Sequence, residues 1–127
     1  MNISRAAAAA GLPVKTVRYY ADIGLVSPAG RTDTGYRTYD DAAVRKLAFV
    51  RRAREFGFSI EECRELLGLY EDRSRSSADV KRLAERRLRE IEAKQRSLQA
   101  LHDELSGLVH ACKGDARPDC PILDHLG

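Results

Sequence analysis

The chain has 127 residues, of which 43% are hydrophobic and 32% are charged, and its formal net charge is +3. This length suits one ordinary domain, or a small domain with an extension. No stretch approaches the roughly 18 apolar residues of a membrane-spanning helix, and the apolar run at residues 6–10 lacks the layout of a secretory signal. We therefore expect a cytoplasmic protein with no membrane association. In that compartment cysteines are more often metal ligands or reactive groups than disulfide partners.

The positive charge is concentrated in the first half of the sequence. Residues 1–56 contain ten Lys and Arg against five Asp and Glu, whereas the remainder contains twelve against fourteen. A basic segment of this kind suits a protein that binds phosphate groups. A solvated basic face with no partner has the same composition, so charge alone does not separate the two interpretations.

The first two predicted elements are short helices on either side of a turn. Ser4 is a candidate N-cap for a helix over residues 5–10, which are rich in alanine, and Gly11 ends that helix. Pro13 suits the first turn of a second helix, which runs from Val14 to about Asp22. Two short helices joined by a glycine-containing turn are typical of a helix-turn-helix.

The next segment, GLVSPAGRTDTGYRTYD, is rich in turn-forming residues. It predicts a loop with a short β-ribbon at Gly35–Tyr39. Asp40 then caps a helix over about residues 41–55, which carries an apolar side and several arginines on its other sides. The SIEE sequence at Ser59–Glu62 is a capping box for a fourth helix that ends near Tyr70.

The longest predicted element runs from Ala78 to about His110 and contains no proline. An apolar heptad stripe follows one side of it, with Ile91, Leu98 and Leu105 at one seam position and Leu101 and Leu108 at the other, where Lys94 interrupts the stripe. A helix this long, with little else to pack on, predicts pairing with the same helix of a second copy of the chain. We therefore expect a homodimer that forms through residues 78–110. The alternative is that the stripe folds back on its own domain.

Hydrogen-bond donors cluster on the second helix and in the loop that follows it. Such donors suit phosphates and base edges when a helix lies in the major groove of DNA, and a glycine-containing turn beside the groove suits contacts to the backbone. The candidates are Lys15, Thr16, Arg18 and Tyr19 on the helix, and Arg31, Tyr36 and Arg37 in the loop. Each of them alone is an ordinary surface residue, so the joint pattern carries the prediction.

The sequence TVRYYADIGLVSP…GRTDTGYRTYD resembles the start of the MerR family of transcriptional regulators, over about residues 1–70. The family signature is an [IV]RYYE-like helix, then GL(V/L)xP, then R…GYRxY, and Ala21 stands here where glutamate is common. The sequences SADVKR and ACKGDARPDCPIL resemble the copper efflux regulator branch, so the resemblance covers nearly the whole chain.

The resemblance implies a mainly α fold in three parts. These are a winged helix-turn-helix DNA-binding domain at residues 1–75, a dimerisation helix at 76–110 that forms an antiparallel coiled coil in the dimer, and a metal-binding loop with a short terminal helix at 111–127. It implies an activator that distorts promoter DNA when its inducer is bound, so that RNA polymerase engages two promoter elements that are spaced too far apart. By motif match, Tyr20 joins Arg31, Tyr36 and Arg37 as a contact to the DNA backbone.

The sequence ACKGDARPDCP carries two of the three cysteines, Cys112 and Cys120. Pro121 suits the start of a short final helix over PILDHL, which places Cys120 near a helix N-terminus, where negative charge is stabilised. Two thiolates are soft ligands that suit Cu(I), Ag(I) and Au(I), which accept two-coordinate sulfur ligation. We therefore predict a monovalent metal effector, Cu(I) above all, with one ion per chain.

The resemblance implies a further determinant of metal choice at Ser77. In the resembling branch this position faces the metal loop of the other subunit. It is serine in monovalent-metal sensors, whereas the zinc and mercury branches place a third cysteine there. Ser77 also suits an ordinary helix N-cap, and the two roles are compatible.

Three alternatives stay open. His110 and His125 bracket the loop and would complete a tetrahedral site for a divalent ion such as zinc. The two loop cysteines would instead form a regulatory disulfide in a redox-sensing regulator. The third alternative is a thiol or metal-carrying enzyme with no DNA role. The basic charge of residues 1–56 argues against it, and the sequence offers no nucleophile–base pair.

The remaining cysteine and histidine have ordinary structural interpretations. We expect Cys63 to be a buried thiol and His102 to lie on the helix surface.

Overall fold

The computed structural model describes all 127 residues, and it is mainly helical with one small β-ribbon, as the sequence predicts. The elements in chain order are α1 (Ile3–Ala10), α2 (Val14–Asp22), β1 (Gly30–Arg31), β2 (Arg37–Thr38), α3 (Asp41–Glu55), α4 (Ile60–Glu71), α5 (Ser77–Ala111) and α6 (Pro121–Leu126). They form two compact units, residues 1–83 and 84–127. The predicted domain boundaries at residues 75 and 110 follow the elements rather than these units, and they stay predictions.

The helix-turn-helix forms as predicted, except at its first residue. The prediction that Ser4 caps α1 is wrong, because the helix begins at Ile3 and the side chain of Asn2 accepts a hydrogen bond from the backbone N–H of Arg5 at 2.9 Å. Asparagine satisfies an unpaired helical N–H as well as serine does. Gly11 ends α1 in the left-handed conformation with φ of 74°, which a residue with a side chain adopts at a cost.

The ribbon consists of two very short antiparallel strands, with Gly30 opposite Thr38 and Arg31 opposite Arg37. The sequence therefore located the second strand, within the predicted Gly35–Tyr39, but not its partner. Gly35 lies in the turn with φ of 86° and not in a strand. A two-residue strand such as Gly30–Arg31 carries no periodicity that a sequence pattern reports.

The core of the first unit lies between the first four helices. Val17 of α2 and Leu47 and Val50 of α3 are completely buried, as the apolar pattern predicts. Both predicted caps form: Asp40 accepts a hydrogen bond from the Ala43 N–H at 2.8 Å, and Ser59 begins α4 in a reciprocal capping box. These caps fix where α3 and α4 begin and hence how the helix-turn-helix rests on them.

In the second unit, α5 continues to Ala111 and is followed by a loop and the predicted terminal helix α6. Much of the apolar stripe on α5 is open to solvent in the single chain: Leu98, Leu101 and Leu105 are all more than half exposed. None of the helices combines the length and the hydropathy that crossing a bilayer would require.

Candidate functional site

The exposed side of α2 presents the predicted donors. Lys15 and Arg18 are exposed, Tyr19 is 51% exposed, and Thr16 is half-buried. Because Val17 is fully buried on the opposite side, the helix is anchored in the core while these side chains point away from it. This is the arrangement that a helix entering a DNA groove requires.

Tyr20 is the exception among the predicted contacts. Its side chain is only 5% exposed and belongs to the core, and this burial raises the pKa of its hydroxyl. In the free chain Tyr20 therefore supports the core beneath the exposed side of α2, and its contact to the DNA backbone stays a prediction. Its ring lies 6.1 Å from the ring of the exposed Tyr19, so Tyr20 helps to orient that neighbour.

A surface cleft of about 380 Å³ brings α2 and the ribbon together. Its lining residues are Ile3, Arg18, Asp22, Arg31, Gly35, Tyr36 and Arg37. Four of the predicted DNA contacts therefore share one cavity, although they come from a helix, two strands and a turn. Three arginines against one carboxylate give the cleft a positive balance that suits a phosphate group.

The turn of the ribbon is held by local hydrogen bonds. The N–H of Tyr36 donates to the hydroxyl of Thr32 at 3.1 Å, and the N–H of Thr32 donates to the carbonyl of Tyr36 at 2.7 Å. Arg31 Nη1 reaches the carbonyl of Gly35 at 3.3 Å. The side chain of Tyr36 remains 73% exposed at the tip, where it is free to contact DNA.

Arg37 is bound to a residue that the sequence did not single out. Its Nη2 donates to Oδ1 of Asp22, the last residue of α2, at 2.8 Å, and this hydrogen bond raises the pKa of the guanidinium. The ion pair links the ribbon to α2. Arg37 therefore has a positioning role in this conformation, in addition to the predicted backbone contact. Asp22 gave no signal in the sequence because its partner lies 15 residues away.

The two loop cysteines lie at the two ends of the segment between α5 and α6. The N–H of Cys112 still donates to the carbonyl of Leu108 at 3.0 Å, so its backbone is fixed to the last turn of α5. Cys120 is the N-cap residue of α6, as predicted, with Pro121 next to it as the first helical residue. Both thiols are half-buried and unpaired.

The other candidate ligands do not join these thiols. His125 contacts Glu104, and His110 is exposed. The structure contains no group of three or more His, Cys, Asp or Glu side chains that could hold a metal ion. Two thiolates as the donor set fit a soft monovalent ion, whereas a divalent ion takes three or four ligands.

The remaining assignments concern residues outside the loop. Ser77 is the first residue of α5, one position inside the helix, so the expectation that it is the N-cap is wrong. Cys63 is completely buried, as predicted, its Sγ lies 3.9 Å from the carbonyl of Phe58, and burial raises the pKa of its thiol. His102 is exposed and contacts Asp103, as a surface histidine should.

A helix-turn-helix beside a small basic ribbon defines a DNA-binding protein of the winged helix-turn-helix class. Residues 1–69 match the family described as MerR HTH family regulatory protein, and residues 44–108 match the one described as MerR, DNA binding. The chain belongs to the MerR family of transcriptional regulators. These are DNA-binding regulators and not enzymes, which confirms the prediction from the sequence.

Proteins similar over almost the full length are named as transcriptional regulators. The HTH-type transcriptional regulator HmrR of Rhizobium leguminosarum bv. viciae is 55% identical, covering 99% of this chain and 97% of that protein. CueR of Salmonella typhimurium is 44% identical, covering 99% and 91%. Among solved structures, PbrR691 of Ralstonia metallidurans CH34, in complex with lead(II), has a TM-score of 0.84 at 30% identity, covering 100% of this chain and 99% of that one.

Proposed function

We propose that this metal-responsive regulator senses Cu(I), and Ag(I) or Au(I) with it, through Cys112 and Cys120, and activates genes for efflux or detoxification of these metals. The observation that carries the proposal is the donor set: two half-buried thiols at the two ends of one loop, Cys112 beside α5 and Cys120 at the N-cap of α6. A two-thiolate set favours monovalent soft ions. Ser77, which has no thiol to offer as a third ligand, is consistent with the same choice.

The proposed active species is a homodimer through residues 78–110. The exposed leucines of α5 support this assembly, because Leu98, Leu101 and Leu105 are 57%, 60% and 53% exposed in the single chain. A row of exposed leucines at heptad spacing marks a surface that a second helix covers. Pairing would bring two copies of the α2 and ribbon surface to one DNA site, as a two-fold operator requires.

The proposed response is a shift between two conformations of the DNA-bound dimer. An ion held by both cysteines joins the end of α5 to the start of α6, since Cys112 is fixed to one helix and Cys120 caps the other. The ion activates only if its affinity is higher for the conformation that distorts the promoter. The distorted promoter then allows RNA polymerase to engage both of its elements.

The direct test is an anaerobic Cu(I) titration of the reduced protein against a strong Cu(I) competitor, with Zn(II) in parallel. We expect one tightly bound Cu(I) per chain, weak zinc binding, and loss of tight Cu(I) binding in both Cys112→Ser and Cys120→Ser. The matched control is Cys63→Ser, because this variant also removes one thiol but leaves the loop intact. Its Cu(I) stoichiometry should equal that of the wild type.

Two other results would replace the proposal. Tight zinc binding that is lost in His110→Ala or His125→Ala would make the chain a divalent-metal sensor. Absence of any tight metal, together with a two-hydrogen mass loss after mild peroxide, would favour a regulatory disulfide between the two loop cysteines.

A further inference from the structure

The C-terminal end of α2 contacts two other elements of the first unit through three consecutive residues. Asp22 binds Arg37 of the ribbon, as described above. The next two carbonyl oxygens accept hydrogen bonds from one guanidinium on α4: Arg64 Nη2 donates to Ile23 at 3.2 Å, and Arg64 Nη1 donates to Gly24 at 3.1 Å. Residues 22–24 are therefore a junction between the DNA-facing helix, the ribbon and α4.

The chemistry of a helix end explains why an arginine binds there. The last carbonyls of a helix lack intrahelical partners and carry partial negative charge. The last turn of α2 contains no basic residue of its own, so the compensating cation comes from 40 residues further along the chain. Two nitrogens of one planar guanidinium bind both carbonyls at once. This fixes the orientation of the end of α2 relative to Arg64, as well as the distance between them.

The junction provides a short route between α4 and α2. The extensive helix packing of this unit runs from α4 to α3, from α3 to α1 and from α1 to α2. Arg64 adds a direct polar connection that bypasses the two intervening helices. Since α4 is followed by only a short link before α5 begins at Ser77, Arg64 joins the end of α2 directly to the helix that leads into α5.

We propose that Arg64 is a positioning residue that sets the orientation of α2 and the ribbon relative to α4, and so transmits the effector signal to the DNA surface. This inference rests on the proposed function, because it assumes that metal binding changes the shape of bound DNA. Arg64 has 43% of its side chain exposed and contacts Glu61 as well, so it is a surface side chain whose removal leaves the core intact.

The test compares Arg64→Ala and Arg64→Lys with Arg75→Ala, which removes an exposed arginine from the link between α4 and α5. The full-length proteins are bound to a duplex recovered by selection with the wild type, with a fluorescent adenine analogue at its centre. Anaerobic Cu(I) is then titrated, and the rise in fluorescence reports DNA distortion. Thermal unfolding and metal-free DNA affinity are measured on the same samples.

We expect Arg64→Ala to keep a metal-free DNA affinity close to that of the wild type and to lose at least about fivefold of the Cu(I)-dependent fluorescence rise. Arg64→Lys keeps the charge but replaces the planar fork of two nitrogens with a single nitrogen, so its response should be intermediate. Arg75→Ala should respond like the wild type. If Arg64 only capped α2, its removal would not lower the Cu(I)-dependent response while leaving the metal-free DNA affinity unchanged.

Other outcomes overturn the inference in distinguishable ways. A full response in Arg64→Ala, or a loss of metal-free affinity with no separate loss of response, would reduce Arg64 to a structural cap. If the alanine variant does not fold, a full response in Arg64→Lys has the same consequence, and a reduced response supports the proposal. No Cu(I)-dependent change in the wild type, with Cu(I) still bound, would refute the proposed function itself.

Discussion

The arginines of the first unit fall into two groups with different roles, and the sequence alone does not distinguish the groups. Arg18 is exposed and lines the cleft, where its charge acts on the nearby Tyr39. Arg37 is held by the carboxylate of Asp22, and Arg51 donates to the carbonyl of Ala10 at the end of α1. We expect Arg18 to contact DNA, whereas Arg37 and Arg51 also fix the ribbon and a helix in place.

We predict that Arg18→Ala weakens operator binding by about 1–3 kcal/mol and lowers the slope of affinity against salt concentration by about one. The physical reason is the loss of one cationic contact from the cleft. Filter binding or fluorescence anisotropy over a series of salt concentrations measures both quantities. Arg75→Ala, which removes the same charge from the α4–α5 link, is the control, and equal weakening in both variants would show that only net charge matters.

The side chain of Tyr39 contains a buried polar atom that has no hydrogen-bond partner. Its side chain is 1% exposed, and its hydroxyl is the one buried side-chain polar atom that lacks a hydrogen bond. An unsatisfied buried hydroxyl costs about 1–3 kcal/mol. Tyr39→Phe should therefore leave the free energy of unfolding unchanged or increase it by about 1 kcal/mol, as urea denaturation would measure. A clear loss of stability would show that the hydroxyl has a partner in solution.

At the scale of elements, local signals predicted the helices well. The capping box at Ser59–Glu62 and the Asp40 cap are complete within four residues of sequence, so the pattern reports them without knowledge of the fold. The hydrogen bonds of Asp22 and Arg64 join residues that are 15 to 41 positions apart in the sequence. Strand β1 is only two residues long. No local pattern reports either feature. The candidate site was accordingly predicted as a set of residues, while its internal ion pairs were not.

The apolar stripe of α5 makes a prediction at the same scale. Placing a charge within a helix interface costs about 2 kcal/mol or more, which is a ~30-fold increase in dimer Kd. Leu101→Asp should therefore dissociate the homodimer at micromolar concentration in analytical ultracentrifugation. Ala100→Asp adds the same charge at an exposed position beside the stripe, and it should remain dimeric. A dimeric Leu101→Asp would mean that another surface holds the subunits together.

At the scale of the whole molecule, charge and thiols are segregated along the chain. The basic excess lies within residues 1–56, and both half-buried cysteines lie beyond residue 110. The predicted DNA contacts and the proposed effector site therefore belong to different units, 1–83 and 84–127. Regulation in such a molecule requires a coupling free energy between two separate sites, which binding measurements at one site alone do not detect.

The measurement that addresses this coupling most directly is in vitro transcription with purified RNA polymerase, from a promoter recovered by selection with the metal-free protein. Transcription is followed during an anaerobic Cu(I) titration and, separately, a Zn(II) titration. We predict that transcript yield rises until one Cu(I) is bound per chain, that zinc has no effect, and that Cys112→Ser and Cys120→Ser bind the promoter without responding. Activation that persists in both variants, or that zinc alone produces, would contradict the assignment of these cysteines as a monovalent metal sensor.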